Sequence, residues 1–464
     1  MRAFLATTLL VFLAGGSSVR CPAAADGADA VVERWISSIG GREALDAVRS
    51  DDVRESMDYG KGGAISTIHI LRTKAGHTRE ETSNPAFGTL VQGWDGMVGW
   101  QRNDRLGSGL IAQEDLGGLV QQDNILAPLM IEKMYKKSRL LGQARLAGRP
   151  CTLVGMTGGS QVEEKWYFDE ATGHLIRIER PDGSRPGNRA TTDFQDYRAV
   201  ERLVIPFRIK TFDEKTSVVL TRESVVINPH VDEASFMIST ARLIEISRIS
   251  FILSRNVAQV GGAAIERIHS RVKRIAIESP ESAMKFSETI YQREPNLFLQ
   301  EIDTPGIGGK WEGFDGTVRW SGSDLQGFHL LGAAATAQWK AFGKLSDEGR
   351  LLNRLPLRRM LGARKIGGRA VHAVVLCDFF AEAGTWYFDD ENARLLRLTS
   401  VFSDGHGRQE TTQDFSDFRR IDGVELPFVT TDTNAAGQSV ETIVSLQNNV
   451  PLDNALFKPR RGDW

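Results

Sequence analysis

The chain has 464 residues and an almost even charge balance, 57 basic against 59 acidic side chains. No basic excess supplies the phosphate-neutralising surface of a nucleic-acid binder. With 41% hydrophobic and 25% charged residues, disorder is excluded too, and three cysteines give no disulfide framework.

At the N-terminus, Arg2 precedes an apolar run, Ala3–Ala14, and Ala23 to Ala25 supply small residues. The run is shorter than the ~20 residues that span a bilayer. It predicts a signal peptide over 1–25, cut before Asp26, and an exported, periplasmic protein. A short membrane anchor is the alternative. Arg20 before Cys21 argues against a lipoprotein. No later segment is long and apolar enough to cross a membrane, so none is expected in the mature chain.

Val31, Val32, Trp35, Ile36 and Ile39 follow helical spacing, and Gly40-Gly41 ends the helix. A second short helix is expected over 42–48. SMDYG, AISTIHIL and HTREETS then alternate polar and apolar residues, as strands with one buried face do. GWDGMVGW reads as a hairpin whose Asp-Gly pair provides positive φ. Asn124–Lys137 predicts a helix with Leu126, Leu129, Met130 and Met134 on one face and Glu132 paired with Lys136. VEEKWYFDEATGHLIRIER reads as strand, turn at Asp169 to Gly173, and strand. Trp166 and Phe168 would share a side with Ile176 and Ile178. DFQDYR and IPFRIKTF form another hairpin, and a last strand ends near Asn228.

The same order then recurs. GWDG at 93–96 returns as GFDG at 313–316, Trp100 as Trp320, and WYFDE at 166–170 as WYFDD at 386–390, each shifted by 220 positions. DFQDYR returns as DFSDFR, IPF as LPF, and Asp232 and Phe236 as Asp453 and Phe457, shifted by 221. A shift this constant, and this long, means two copies of a whole domain rather than a solenoid. The copies fall at 26–238 and 251–464, with 239–250 as linker. The second begins with a helix over Phe251–Val260, and its middle carries predicted helices at 333–345 and 350–361. The fold class is therefore α+β: two tandem, strongly curved antiparallel β-sheets, incomplete barrels, each covered by a few α-helices. Twist curls such sheets, and a curled sheet closed by helices can hold an apolar cavity.

Catalytic chemistry finds no support. The eight histidines form no metal spacing, and nucleophile elbow, phosphate loop and dinucleotide fingerprint are all missing. Asp193 with Asp196, and Asp414 with Asp417, recur, but a separation of three on a strand points them to opposite faces. Asp169 to Glu179 is a turn, not a calcium loop. Cys151 and Cys377 sit at non-equivalent positions and read as small buried apolar groups. No enzyme activity, metal or cofactor is expected.

Together these strings, a GG after the first helix, DGxxxW, WYFDxxTGxLIRxE, DFxDYR…xPF and a terminal NxxxDxxxF, resemble the LolA/LolB-like superfamily of periplasmic lipoprotein carriers, in particular proteins labelled outer-membrane lipoprotein-sorting. The resemblance covers 31–238 and 251–459. It implies a hollow able to receive acyl chains. The carrier has one such domain where this chain has two, and its lid arginine has no match here. The expected function is non-catalytic binding of lipid, lipoprotein acyl chains or other amphiphiles, as carrier or chaperone. The alternative is an envelope sensor or scaffold acting through a protein partner. Candidate cavity residues are Leu126, Met130, Met134, Trp166, Phe168, Trp339, Phe342, Met360, Trp386 and Phe388, since methionine and aromatics accommodate varied apolar ligands. Plain core packing is the competing reading of the tryptophans.

Overall fold

The structure is a computed structural model. It describes residues 27–60, 63–86, 88–112, 116, 119, 127–158, 162–181, 189–213, 216–280, 284–331, 355–377, 384–404 and 407–459. The expected signal peptide, Leu126, Trp339 and Phe342 lie outside these residues, as does most of the stretch expected to hold helices in the second copy. The chain is mostly antiparallel strand with few helices, and the sheet is not closed. It splits into two compact units, Met1–Arg105 with Gly109–Ser239, and Leu106–Ser108 with Thr240–Trp464.

The first unit opens with helices α1 (Gly27–Ser38) and α2 (Gly41–Asp46). Strands β1 (Ser50–Asp58), β2 (Ser66–Thr73), β3 (Thr78–Asn84), β4 (Gly88–Trp94), β5 (Gly99–Asn103) and β6 (Gly107–Leu110) follow. After α3 (Ala127–Met134) come β7 (Tyr135–Leu146), β8 (Arg149–Gly158), β9 (Glu163–Asp169), β10 (Leu175–Pro181), β11 (Arg189–Val200), β12 (Leu203–Phe212) and β13 (Ser217–Ile227). Each of β7 to β13 pairs antiparallel with the next, β13 returns to β1, and the meander continues through β2, β3 and β4 to β5.

The second unit starts with α4 (Thr240–Val260), then β14 (Ser270–Ser279), β15 (Met284–Arg293), β16 (Leu297–Thr304), β17 (Gly308–Phe314), β18 (Arg319–Ser323) and β19 (Gly327–Leu330). β20 (Leu357–Ile366), β21 (Arg369–Cys377), β22 (Gly384–Asp389), β23 (Leu395–Asp404), β24 (Gly407–Ile421), β25 (Val424–Asn434) and β26 (Gly437–Asn448) complete it. β26 returns to β14 just as β13 returns to β1.

Bulges recur at matching places. Pairing slips at Arg54/Glu55 and at Arg274/Ile275, at Leu140/Gly142 and at Met360/Gly362. It slips again between Leu175 and Arg177 and between Tyr387 and Phe388. Asp196 and Asp417, with φ of 54° and 49°, drop out of the pairing while the register on either side is unchanged, so unlike the slips above they insert no residue. Each slip that inserts a residue bends its strand and tightens the local twist.

Four expectations are corrected. The predicted helix over 124–137 ends at Met134, and Lys136 lies on β7, because pairing of Tyr135 with Gly158 outweighs helix propensity. Leu357–Ile366 is a strand, so Met360 belongs to the sheet and not to a lid helix. Residues 240–250, expected as linker, are the first half of α4, whose Ile249 and Ile246 are buried one and two turns ahead of Leu253. The bulge in β10 makes Ile176 the extra residue, so Leu175 and Ile178, not Ile176, face Phe168 and Trp166; Leu395 and Leu398 do the same in β23.

Candidate functional site

The strings shared by both copies are scaffold. Gly93 lies beneath the Trp100 ring, where a Cβ would come within 2.3 Å of it, and Gly313 lies beneath Trp320 at the same 2.3 Å. Trp100 Nε1 donates to the Phe236 carbonyl (2.7 Å) and Trp320 Nε1 to that of Phe457 (3.0 Å). Asp232 and Asp453 cap the short 3-10 helices that present those carbonyls, accepting from the Ala234 and Ala455 N–H groups. Thus DGxxxW and the terminal DxxxF are two ends of one contact. Arg177 grips Asp193 with two bonds (2.6 and 2.9 Å), and Arg397 grips Asp414 likewise (2.6 and 2.8 Å). Asp196 pairs with Arg198, and Asp417 with Arg419; each arginine lies over the phenylalanine of the following IPF or LPF, 4.5 Å from its centroid. Asp193 and Asp414 are therefore neutralised across strands, and Asp196 and Asp417 by the arginine two residues along their own strand. They do not form an acid–base dyad.

The remaining titratable groups read the same way. Asp169 accepts from the Ala171 and Thr172 N–H groups and closes its turn. His69 meets Asp52 (3.0 Å), His77 meets Glu233 (2.8 Å), and His372 meets Asp390 (2.7 Å). His174 stacks on Tyr197 at 4.2 Å, and burial pushes its pKa down. Among the described residues no three His, Cys, Asp or Glu side chains converge as a metal site would require. Cys151 and Cys377 are both buried, and burial raises the Cys151 thiol pKa. A shallow depression beside His269, Arg293 and Leu452 is spanned by its own bonds, Ser270 Oγ to Val450 O (2.6 Å) among them.

The inner faces differ between the copies. In the first unit, α1 lays Val32, Trp35 and Ile36 on Val154 and Met156 of β8, Trp166 and Phe168 of β9, and Leu175 and Ile178 of β10. Trp35 and Tyr135 both meet Trp166 edge-on, at 6.0 and 5.2 Å. The candidates Trp166 and Phe168 are consequently core residues, 4% and 2% exposed. Met130 on α3 is exposed and Met134 half-buried. Beside this core Glu164 accepts three donors: Tyr135 Oη (2.8 Å), Trp166 Nε1 (2.9 Å) and Arg180 Nε (2.8 Å). Burial raises the Tyr135 pKa, which keeps it a donor.

In the second unit, Ile249, Ile252 and Leu253 of α4 pack with Leu355, Val374, Leu376 and Phe388, and Met360, Trp386 and Leu395 join only partly buried. Phe388 is fully buried, but Trp386 and Leu398 are only partly buried where their counterparts Trp166 and Ile178 are buried. The candidates Met360, Trp386 and Phe388 thus come together in one cluster. Sequence reasoning did not single out Glu164, Arg180 or Tyr135. The signal available was comparison of the copies at these positions, where the second has Gly384, Ser400 and Leu355.

No family model matches the chain, and no curated protein matches it. Solved structures to which it is similar include a DUF1329 family protein from Desulfovibrio piger, at 11% identity, covering 47% of this chain and 99% of that one, with a TM-score of 0.35. A LolA superfamily protein from Nitrosomonas europaea is 13% identical over 46% of this chain and 97% of its own, with a TM-score of 0.34. An outer membrane lipoprotein-sorting protein domain from Vibrio parahaemolyticus is 14% identical over 45% and 94%, with a TM-score of 0.31. Nearly the whole of each therefore corresponds to about half of this chain.

Proposed function

We propose that the protein binds an amphiphile, a lipid or an acylated molecule, against the apolar inner face of a strongly curved sheet, and does so without catalysis in the periplasm. The observation that carries the reading is the partly buried set of Trp386, Leu395 and Met360 beside the buried Phe388, with Leu398, also partly buried, opposite Trp386. Apolar side chains on the helix-covered side of a sheet ordinarily fill the core, as Trp166 and Ile178 do. Left only partly buried, they offer a surface that an acyl chain can cover. Each methylene buried contributes ~0.8 kcal/mol, so a dozen supply roughly 10 kcal/mol before ordering costs. Hydrophobic burial alone is then enough for carriage, and the repeated bulges are the physical means of curving the sheet.

The test is titration of the full chain with the methyl ester of cis-parinaric acid, whose polyene emission rises out of water. A saturable rise with sub-micromolar to micromolar affinity is expected. A flat titration, together with a lipid-free protein by mass spectrometry, removes the reading.

A further inference from the structure

The two copies share a scaffold but not an interior, and the difference points to where a ligand sits. In the first unit the inner face is finished by the chain itself. Glu164 supplies the acceptor for the Trp166 indole, Arg180 and Tyr135 complete the cluster, and Trp35 covers the ring. The registers place Gly384 opposite Ser400 on β22 and β23, as Glu164 and Arg180 stand on β9 and β10, two residues before Trp386 and two after Leu398. Asn256 occupies the position of Trp35, counted from the GG that ends each helix; its amide donates to the Ala393 carbonyl (2.8 Å) and covers nothing comparable. A carboxylate, a guanidinium and an indole have thus been replaced by a hydrogen, a hydroxymethyl and a small amide.

The polar bookkeeping is left open as well. Trp386 Nε1 is buried and has no acceptor, whereas Trp166 Nε1 donates to Glu164. An orphaned buried donor costs about 1–3 kcal/mol unless something supplies an oxygen. Trp35 Nε1 is unpartnered too, but Trp35 is packed against Trp166 and Phe168 on the filled side. Trp311 Nε1 and Arg359 Nε are orphaned as well, but Val91 and Arg139 stand at their positions in the first copy. Among the described residues Trp386 is the indole whose first-copy acceptor, Glu164, has been lost and whose apolar neighbours are only partly buried.

From this we infer that the second unit is the ligand-bearing copy and that the first is closed by its own side chains. The ligand places an uncharged carbonyl oxygen, an acyl ester or amide, where Glu164 stands in the first copy, on Trp386 Nε1. Its hydrocarbon chain lies along Leu395 and Leu398, which are only partly buried. Ser400 stands in the Arg180 position, and the arginine that does lie in this cross-strand row, Arg358, already donates to Ser250 Oγ (2.8 Å) and the Leu355 carbonyl (3.3 Å), so a neutral oxygen suffices. This rests on the amphiphile reading above and says which copy and which head-group chemistry serve it.

The test uses the full chain and two probes, methyl cis-parinarate, which carries an ester, and diphenylhexatriene, which is hydrocarbon only. Refilling the interior with Ser400→Trp, or independently Gly384→Leu, should lower affinity for both probes tenfold or more. Circular dichroism and melting verify that each variant is folded. Gly384→Leu is the harsher change, since its Cβ already meets Leu398 and Trp386 at 3.0 Å. Trp386→Phe keeps a ring but removes the donor, and should weaken the ester probe roughly 2- to 10-fold, the value of one neutral hydrogen bond, while sparing the hydrocarbon. Wild-type binding that survives both refilled variants overturns the assignment to the second unit and leaves the amphiphile reading standing. Equal effects of Trp386→Phe on the two probes overturn the head-group assignment. Failure of the wild type to bind either probe defeats the reading beneath both.

Discussion

Gly93→Ala tests the claim that the repeated strings are scaffold. The new methyl would sit 2.3 Å from Cε2 of Trp100, a ring atom of a side chain only 4% exposed. A rigid indole cannot bend away locally, so the whole ring must shift and its bond to the Phe236 carbonyl must lengthen or break. Overpacking of this kind costs roughly 1–3 kcal/mol, and the lost bond about 1 kcal/mol more. A loss of about 2–4 kcal/mol follows, near 1 M in urea midpoint for a slope of a few kcal/mol/M. Urea unfolding followed by far-ultraviolet circular dichroism reads it. In a Trp100→Leu background the same Gly93→Ala change should cost much less, because the ring that forbids the methyl is gone. Equal costs in the two backgrounds, or no cost in the wild type, refute the reasoning. The same experiment on Gly313 and Trp320 should repeat the result.

Further outcomes follow from the same packing. Glu164→Gln should destabilise the first unit by about 2–3 kcal/mol, toward the low end for a broken buried pair because Arg180 is partly exposed; denaturant melts measure it, and ester-probe affinity should be unchanged. Glu425, held by two bonds from Arg394, has its pKa lowered first by that hydrogen bonding. Its folded-state pKa lies below the unfolded value near 4.3. Its stabilisation is therefore complete above that value and lost as pH falls through the lowered one; Glu425→Gln should flatten the acid limb of a stability–pH curve. Cys151 and Cys377 should resist a thiol reagent in the native chain and react at full rate in denaturant, since both are buried.

The repeat made much of the scaffold legible. A constant shift located both copies, Asp-Gly pairs located hairpins, and alternation located strands, because period-two burial and positive φ are local properties written in consecutive residues. It also separated shared strings from unshared positions, which is why Trp100, Asp232 and the Arg177–Asp193 pair emerge as scaffold. The limits were equally physical. Periodicity alone read Tyr135 to Lys137 and Leu357 to Met360 as helix, since an apolar face suits either element until a partner strand competes for the backbone. One inserted residue at Ile176 reversed which side chains face inward.

What the sequence by itself determined is a mostly antiparallel chain with few helices, the strings that recur in it, the positions of their turns, and an apolar set rich in tryptophan, methionine and leucine. What only the tertiary structure decided is which of those side chains are spent on the core. Trp166 and Trp386 stand in the same WYFD string, yet one is sealed by Trp35, Tyr135 and Glu164 and the other is partly buried with its N–H unpaired. Part of that difference is local, Glu164 against Gly384 two residues before each tryptophan, but Trp35 and Tyr135 are distant in sequence and meet Trp166 only when helix and sheet pack.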